Sequence, residues 1–454
     1  MIIEFFSRLP QLWHDELRGM FDGSLGATGL FLTSFPFLLS AIWSLSATTS
    51  LALGALRPQR KGNSGEAPNF CVLVPFYGCP EAALRTVRSL AEATPRPDEI
   101  VIIDDGSPPQ TSATNVAALP EGVRMVRLPF NVGKAAALNY ALRLVSSEIV
   151  VCLDSDTMAE TVDWSRMLAQ FTTSPSLGAL TGKIRPACVE SFVQLLQAID
   201  YLAVICMVKC AEKLWGGLTT VSGAWVAYRR EALIQCGGWN EETSAEDIDL
   251  SWRMQAAGWR ISYDPRWSAR VEMARCWKSL WLQRRRWSSG MGRALREHLF
   301  GAFQWRARHL PVAVVAVLSA VWMWLIAGTL LSHVADTNWT LATLGGWLQH
   351  HTLTLCLCAA AFGTQIMVGI LIDRGPWRRY PLMILLSPFY LVYFWLVLFT
   401  SYIAGFTRGV LRRDRGRWVP TAEKDGGEVE AVLADPTVFT RYPSEEFFDP
   451  RSKS

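Results

Sequence analysis

Three groups of charged side chains in this chain have the composition needed for group-transfer chemistry. Asp154 and Asp156 are two residues apart, and a second acidic cluster spans Glu246–Asp249. The third group, Gln283–Trp287, reads Gln-Arg-Arg-Arg-Trp and lies just before a block of apolar runs. A spaced carboxylate pair, a further carboxylate and a cationic segment are the parts needed to move a sugar from a nucleoside diphosphate.

The carboxylates of Asp154 and Asp156 could both face one divalent cation. A hard ion such as Mg²⁺ or Mn²⁺ takes one or two carboxylates and completes its shell with phosphate oxygens of the substrate. Such an ion would neutralise the charge that builds on a diphosphate leaving group. No histidine occurs between Cys71 and Glu297, and the cysteines show no zinc-ligand spacing. Any metal in this region must therefore be held by oxygen. A solvated turn is the alternative interpretation of this pair.

The acidic cluster lies at the start of a predicted amphipathic helix, Glu246–Ala257. One carboxylate there could simply favour the helix dipole. Three carboxylates in four residues need a further explanation. A carboxylate at this position, close to a metal-bound donor, could deprotonate an acceptor hydroxyl as a general base.

The Gln283–Trp287 segment is preceded by Trp277 and Trp281. In one interpretation, Arg286 pairs with the diphosphate through its planar set of donors, and Trp287 packs against an acceptor sugar. In the other, the segment is a basic helix beside the membrane that contacts anionic lipid headgroups. The sequence pattern leaves both interpretations open.

Alternating strands and helices are expected to position these groups. Strands are predicted at Phe70–Phe76, Glu99–Ile103, Val123–Leu128 and Ile149–Leu153, with helices at Glu81–Ala93 and Lys134–Val145 between them. This order predicts an α/β domain with a mostly parallel sheet and helices on both faces. Ligands of such sheets bind beyond the carboxyl ends of the strands.

Polar residues follow three of these predicted strands. Asp104 or Asp105 could accept hydrogen bonds from a base or ribose, although a tight turn also explains them. Tyr77 could stack on the base. Lys134 could reach a phosphate, but the spacing around it is not that of a Walker loop. Together with the Asp154–Asp156 turn, these residues predict one crevice at the edge of the sheet.

Composition places this domain in a membrane protein. Of the 454 residues, 50% are hydrophobic, and the net charge of +4 gives no support for nucleic-acid binding. Four apolar runs exceed the roughly 20 residues needed to cross a bilayer: Leu25–Leu56, Pro311–Val334, Leu353–Ile372 and Leu382–Phe406. Basic clusters at Arg57–Lys61, Arg284–Arg308, Arg374–Arg379 and Arg408–Arg417 flank them. The positive-inside rule therefore predicts a cytoplasmic domain between membrane helices.

The remaining segments carry weaker signals. The N-terminal segment 1–24 has no evident cleavable signal peptide, and the tail 419–454 is polar and acidic. Amphipathic helices at the membrane surface are predicted for Glu190–Trp215 and Trp277–Arg308. Leu382–Phe406 has basic residues on both sides, which fits either a single crossing or a re-entrant hairpin bent near Pro388; we expect the single crossing.

The ordered motifs resemble the processive, membrane-integrated family 2 glycosyltransferases, which include hyaluronan, chitin, cellulose and poly-N-acetylglucosamine synthases. The matching stretch runs from about Phe70 to Arg293. Its motifs are VPFYG (Val74–Gly78), DDGS (Asp104–Ser107), NVGKAAALN (Asn131–Asn139), DSD (Asp154–Asp156), SGAWVAYRR (Ser222–Arg230), AEDIDLSWRMQ (Ala245–Gln255) and QRRRW. Within the family, the sequence is most similar to the bacterial poly-β-1,6-N-acetylglucosamine synthases of biofilms.

The resemblance implies a nucleotide-diphospho-sugar transferase fold and a role for each site residue. Asp247 would be the catalytic base, and Asp156 would bind Mg²⁺ or Mn²⁺ with Asp154. The residues implied to contact substrate are Tyr77, Asp104, Asp105, Lys134, Asp154, Glu246, Gln283, Arg286 and Trp287. The family's usual Thr-Glu-Asp is Ala245-Glu246-Asp247 here, which puts a supporting contact in doubt but not the base.

The resemblance also implies an activity and partners. The expected reaction is the inverting, processive polymerisation of a UDP-sugar, and UDP-N-acetylglucosamine is the donor expected first. The polymer is expected to be exported across a bacterial inner membrane. Alternatives are another polysaccharide synthase of the family (hyaluronan, chitin or glucan type), a non-processive transferase acting on a lipid acceptor, and a retired scaffold. A small membrane subunit and cyclic diguanylate are implied partners.

Overall fold

The computed structural model describes residues 26–56, 67–90, 92–108, 119–120, 122–298, 310–336, 352–373 and 380–411, together with Gln11 and Arg18. Some of the predicted features lie outside these described residues. They are the basic clusters at Arg57–Lys61 and Arg374–Arg379, the polar tail at 419–454 and, apart from Gln11 and Arg18, the N-terminal segment 1–24.

An eight-stranded sheet forms the centre of the described domain. Its strands are β1 (Phe70–Phe76), β2 (Glu99–Asp104), β3 (Val123–Arg127), β4 (Ile149–Leu153), β5 (Thr157–Ala159), β6 (Leu177–Pro186), β7 (Trp225–Arg229) and β8 (Arg260–Val271), in the spatial order β3-β2-β1-β4-β7-β6-β8-β5. Strands β3, β2, β1 and β4 are parallel, as are β6 and β8. Antiparallel pairs join β4 to β7, β7 to β6 and β8 to β5. The predicted α/β fold with a mostly parallel sheet is confirmed.

Helices cover the sheet and continue into the apolar segments. In chain order they are α1 (Gly26–Leu56), α2 (Pro80–Arg88), α3 (Lys134–Leu144), α4 (Ser165–Thr173), α5 (Phe192–Asp200), α6 (Met207–Trp215), α7 (Arg230–Gln235), α8 (Glu246–Ala256), α9 (Trp277–His298), α10 (Leu310–Asp336), α11 (Thr352–Asp373), α12 (Tyr380–Leu385), α13 (Ser387–Tyr393) and α14 (Thr400–Val410). π-Helical turns join α5 to α6 (Tyr201–Cys206) and α13 to α14 (Phe394–Phe399).

The central strands are apolar throughout because both faces of the sheet are covered. Every residue of β1 and β4 is buried. Cys71 and Leu73 belong to the cluster that contains the alanines of α3, whereas Val72 and Val74 belong to the cluster on the opposite face with Trp164. The bounds predicted for β1 and β4 coincide with those observed, since continuous burial gives the clearest sequence signal.

Among the residues that the structure describes, five helical segments are long and apolar enough to cross a membrane, so the chain is a membrane protein. Four of them lie at the predicted runs, and the fifth is Phe192–Trp215. The sequence predicts a helix on the membrane surface at Glu190–Trp215. In the structure, however, 78% of the most apolar stretch of Phe192–Trp215 is buried. It packs on α1, where Trp215 Nε1 donates to Ser46 Oγ at 3.0 Å, and its polar residues Gln197 and Asp200 bond to protein groups.

The last apolar run, α13 to α14, lies beside α9 and runs parallel to it. The rings of Trp277 and Tyr393 are 6.5 Å apart, and Trp281 Nε1 donates to Thr400 Oγ1 at 3.0 Å. At the other end, Arg296 donates to the carbonyl of Val410. The segment thus contacts α9 along its length. The expected single crossing by Leu382–Phe406 stays a prediction.

Candidate active site

Asp104 closes the turn that follows β2 and connects it to the loop after β1. Its Oδ1 accepts a hydrogen bond from Ser107 N at 2.8 Å, and Ser107 Oγ accepts one from Gly78 N at 2.8 Å. The Asp104 side chain is fully buried, and its Oδ2 lies 3.7 Å from Arg127 Nε. This geometry holds the backbone next to Tyr77 at the carboxyl end of β1. The uridine contact that the resemblance implies for Asp104 stays a prediction.

Asp105 fixes the loop that leads into α3. Its two carboxylate oxygens accept from Val132 N at 2.8 Å and from Gly133 N at 3.0 Å. Burial raises the pKa of Asp105 to about 7, although the two backbone donors act in the opposite direction. Both oxygens therefore hold protein backbone in this structure, and their observed effect is to position Lys134, the first residue of α3.

Gly106, between Asp105 and Ser107, is required by this arrangement. Its φ is +68°, and a Cβ at this position would collide with the backbone of Phe130. Glycine adopts positive φ without steric cost. The Asp-Asp-Gly-Ser motif is thus explained by loop closure as well as by any contact with a ligand.

Lys134 lies between the two acidic groups that are far apart in sequence. Its Nζ is 2.6 Å from Asp154 Oδ1, at the end of β4, and 2.8 Å from Glu246 Oε1, at the start of α8. Burial alone would lower the pKa of Lys134, but Asp154, Glu246 and Asp247 raise it above its usual value. Lys134 is therefore a permanent cation that holds the strand-end turn against α8.

Asp247 is oriented by backbone donors on two sides. Its Oδ2 accepts from Gly223 N at 3.0 Å, and its Oδ1 accepts from Ile248 N at 2.9 Å. Burial and the neighbouring Glu246 raise the pKa of Asp247, whereas Lys134 and Gly223 lower it. A carboxylate whose proton affinity is raised in this way is a stronger base than an ordinary aspartate, as general-base catalysis requires.

The Asp154–Asp156 turn fits a hard divalent ion. The Asp154 side chain is 33% exposed, and Asp156 is partly exposed in the same turn. The backbone of the turn is held by a hydrogen bond from Glu272 N to the Asp156 carbonyl at 3.2 Å. Two carboxylates accessible from solvent at the carboxyl edge of the sheet are the oxygen ligands that Mg²⁺ and Mn²⁺ use. Lys134 already neutralises one of these carboxylates, so an ion there would share Asp154 with the ammonium group.

Another acidic group lies on the far side of α8. Asp249, Glu297 and His298 are close enough together to hold a metal ion. However, Asp249 Oδ2 pairs with Arg253 Nη2 at 2.6 Å and its Oδ1 lies 2.9 Å from His298 Nε2, while Glu297 pairs with Arg293 at 3.0 Å. Of these contacts, the one between His298 and Asp249 fastens the end of α9 to α8. His298 comes directly after the histidine-free stretch that ends at Glu297, and its role here was not predicted from sequence.

The arginines of Gln283–Trp287 divide into exposed and buried side chains. Arg286, predicted to bind diphosphate, is exposed and donates from Nη1 to the Ser244 carbonyl at 3.1 Å. Arg284, to which no role was assigned, is buried against Asp200 at 2.7 Å. Its guanidinium lies over the Trp287 ring, with Cζ 4.3 Å from the centroid. Gln283 Oε1 is buried and has no hydrogen-bond partner among the described residues.

Helix α9 also contacts the loop that precedes α8. Arg293 donates to the Glu242 carbonyl and pairs with its carboxylate at 2.9 Å. Ala245 packs against Gly290 so closely that a Cβ at Gly290 would collide with the Ala245 side chain. Ala245 is the position where the family usually has threonine, so a glycine on α9 faces the smaller side chain. A sequence pattern alone could not have paired these two positions.

The structure thus brings Lys134, Asp154, Glu246 and Asp247 into one site at the carboxyl edge of the sheet. Comparison with known proteins gives this arrangement a class. Residues 71–237 match the sequence family described as glycosyl transferase family 2. The chain therefore contains a family 2 glycosyltransferase domain and is a glycosyltransferase.

Among curated proteins, the chain is similar to poly-beta-1,6-N-acetyl-D-glucosamine synthases. It is 28% identical to the synthase of Staphylococcus aureus (strain COL) over 316 residues, which cover 65% of this chain and 73% of that protein. It is 24% identical to the synthase of Staphylococcus epidermidis over 418 residues, covering 88% of this chain and 98% of that protein. These matches support a polysaccharide synthase of the family.

Among solved structures, the chain resembles a mannosyltransferase from Pyrobaculum calidifontis that was determined with GDP-mannose and Mn²⁺. The TM-score is 0.56 at 19% identity, and the match covers 86% of this chain and 99% of that chain. At this identity the likeness shows the fold. It confirms the predicted nucleotide-sugar transferase architecture flanked by apolar helices.

Proposed function

We propose that this protein is an inverting, processive glycosyltransferase that polymerises UDP-N-acetylglucosamine into poly-β-1,6-N-acetylglucosamine and exports the chain through its membrane helices. The observation that carries the proposal is the bridge of Lys134 between Asp154 and Glu246, with Asp247 beside it. It joins a strand-end turn suited to a nucleoside diphosphate to a half-buried carboxylate suited to act as a base. Similarity to the staphylococcal synthases supports the choice of sugar and linkage.

Asp247 would remove the proton from the acceptor hydroxyl. The resulting oxygen nucleophile attacks the anomeric carbon of the donor, the new glycosidic bond forms, and the bond to the diphosphate breaks, so UDP leaves with the bonding electrons. The hydrogen bonds from Gly223 and Ile248 fix the carboxylate for this transfer. In-line attack inverts the configuration at the anomeric carbon.

Charge on the departing diphosphate would be balanced by cations of this chain. Lys134 is held at the site by two carboxylates, and Arg286 lies exposed at its rim. Asp154 and Asp156 would hold Mg²⁺ or Mn²⁺, which when bound supplies further charge neutralisation. Tyr77, at the end of β1, would lie against the uracil, and Gln283 and Trp287 would face the acceptor.

The basic clusters between the apolar runs support a bacterial inner membrane with the catalytic domain in the cytoplasm. Growth of the polymer on that side requires a path across the bilayer, which the helices around α5, α6, α10 and α11 would provide. A small membrane subunit and regulation by cyclic diguanylate follow only from the resemblance and are proposed with it.

The experiment is UDP release from membranes that contain the full chain. UDP-N-acetylglucosamine, UDP-glucose and UDP-glucuronate are supplied separately, with Mn²⁺, with Mg²⁺ or with a chelator. The proposal predicts metal-dependent release from UDP-N-acetylglucosamine alone. Release from UDP-glucose instead would overturn the sugar assignment, and release that persists in chelator would contradict the metal site.

A further inference from the structure

Arg284 is a buried arginine that the proposed chemistry does not use. Its Nη2 lies 2.7 Å from Asp200 Oδ2, and the two side chains are only 7% and 5% exposed. A buried charge that loses its partner is strongly destabilising, so this pair must be kept together in the folded chain. Asp200 is the last residue of α5, and Arg284 lies in the first half of α9.

The second oxygen of Asp200 reaches the last apolar segment. Tyr390 of α13 donates its hydroxyl to Asp200 Oδ1 at 2.7 Å. The Tyr390 ring packs on Phe362 of α11 at 4.9 Å between centroids and on Tyr393 at 5.3 Å. Asp200 therefore joins one helix of the domain, one helix of the membrane block and the helix that carries Gln283–Trp287.

Arg284 extends this connection to Trp287. Its guanidinium lies over the indole, with Cζ 4.3 Å from the ring centroid, a distance typical of a cation–π contact. The Trp287 ring also packs against the apolar cluster that contains Trp225 and Tyr201. With the guanidinium held by Asp200 and the core behind the ring, the indole has little freedom to rotate. Its orientation then depends on where Tyr390 and Asp200 hold the guanidinium.

We propose that Asp200, Arg284 and Tyr390 form a buried relay that positions Trp287 and couples the last apolar segment to the acceptor side of the site. This rests on the proposed function, in which Trp287 faces the acceptor. The three relay residues are positioning residues, because they act through Trp287. Loss of the relay should impair chain elongation much more than use of the donor.

The test uses the full chain in membranes. Arg284→Gln, Asp200→Asn and the double variant are compared with wild type, and Arg285→Gln is the matched control because Arg285 lies over the Trp281 ring instead. The readouts are protein abundance, the KM for UDP-N-acetylglucosamine, and the ratio of sugar found in long polymer to UDP released. Every transfer releases one UDP, so this ratio falls when chains end early. Each single variant should lower the ratio about tenfold, because a misplaced Trp287 would hold the acceptor out of position for transfer. The KM for the donor should stay within about twofold of wild type. An unchanged ratio in Arg284→Gln overturns the relay.

The double variant separates positioning from folding. Removing both charges leaves no unpaired buried ion, so its abundance should return to the wild-type level. The ratio of polymer to UDP should stay low, because Trp287 still lacks its guanidinium. Recovery of both the abundance and the ratio would show that the pair serves the fold alone, and would contradict the proposal.

Tyr390→Phe tests the connection to the membrane block. This variant removes one hydrogen bond, which contributes about a factor of ten or less to an equilibrium. The ratio should therefore fall severalfold. Tyr402→Phe is the control, because Tyr402 lies in the same segment and stacks on Phe406, away from the relay. Equal ratios in the two variants would remove Tyr390 from the relay.

A failed relay and a failed proposed function give different results. If wild type adds a single sugar and makes no polymer, processivity is wrong, and the relay is then read from the KM for the acceptor. That KM should rise about tenfold in Arg284→Gln while the donor KM stays constant. An acceptor KM that does not change would overturn the relay in that case as well.

Discussion

The two sides of this site are built by different means. On the strand side, Asp104 and Asp105 close loops through hydrogen bonds to backbone amides of neighbouring turns. On the helix side, His298 of α9 contacts α8, and Arg293 of α9 holds the loop that precedes α8. Helix α9 is held in turn by α14 through close helix packing. Lys134 is where the two sides meet.

This difference indicates which changes should alter which step. The strand side fixes the positions of the turn and the lysine that would face a nucleoside diphosphate. The helix side fixes Asp247 and Trp287, the residues proposed to act on the acceptor. Its position depends on a segment more than 100 residues away in sequence, where Trp281 bonds to Thr400. Damage to the strand side should therefore appear in donor handling, and damage to the helix side in transfer.

The largest effect is expected for Asp247→Asn. The amide cannot accept the acceptor proton, so transfer should fall by roughly 10²–10⁴-fold, the usual contribution of a general base. Binding of UDP should change little, because Asp247 lies on the helix side. Isothermal titration with UDP and UDP release from membranes measure the two properties. Asp163→Asn, an exposed loop position, is the control; near-normal transfer in Asp247→Asn would reject the base assignment.

Lys134→Met should have the next largest effect, because it removes the cation that joins the two sides. Asp154 and Glu246 would then face each other unpaired. Lys134 lowers the pKa of Asp247, so in the variant that pKa should rise. The base form is the ionised one, and the acid limb of the pH–kcat profile should therefore move to higher pH. Lys134→Arg keeps the charge and should shift the limb less; an unmoved limb in Lys134→Met would contradict the bridge.

Gly409→Ala tests whether α14 holds α9 in place. A methyl group there would collide with the Ser289 carbonyl of α9. Overpacking of this kind costs about 1–3 kcal/mol, and transfer should fall while UDP binding persists. Thermal unfolding in detergent and UDP release are the measurements. Gly328→Ala on α10 meets open space and should leave both unchanged; equal behaviour of the two variants would show that α9 does not depend on α14.

Asp105→Asn should have the smallest effect. It removes one acceptor for the Val132 and Gly133 amides, at a cost of about 1 kcal/mol. Burial raises the pKa of Asp105 from its usual 3.8 to about 7 in the folded chain. Its contribution to stability is thus full below about pH 4 and is lost as the pH rises through about 7. The difference in thermal stability between wild type and variant should shrink over that window; a constant difference would contradict the raised pKa.

The strand side was largely predictable from sequence. Continuous apolar runs indicated the bounds of β1 and β4, and the parallel strand order was enough to place Tyr77, Asp105 and Asp154 at one edge of the sheet. What sequence could not show is that one carboxylate oxygen of Asp104 and both of Asp105 already accept hydrogen bonds from backbone amides. Aspartate, glycine and serine are typical both of tight turns and of ligand-binding loops. Only the three-dimensional structure therefore reveals these hydrogen bonds to the backbone.

The helix side was predictable in outline only. The motifs placed Asp247 and Arg286 near the site through resemblance, but the burial of Arg284 depends on Asp200 and Tyr390, which no local pattern connects to it. The burial of Phe192–Trp215 was missed for the same reason. Its apolar and polar positions fit an interfacial helix equally well until α1 and the sheet are seen to cover it.

Product length tests the central claim most directly. Membranes with the wild-type chain are supplied with labelled UDP-N-acetylglucosamine and Mn²⁺, and the product is sized after digestion with a β-1,6-specific hydrolase and without it. We predict a long polymer that this enzyme degrades. A product that carries one added sugar, or a polymer that resists the enzyme, would contradict the assignment of this glycosyltransferase as a poly-β-1,6-N-acetylglucosamine synthase.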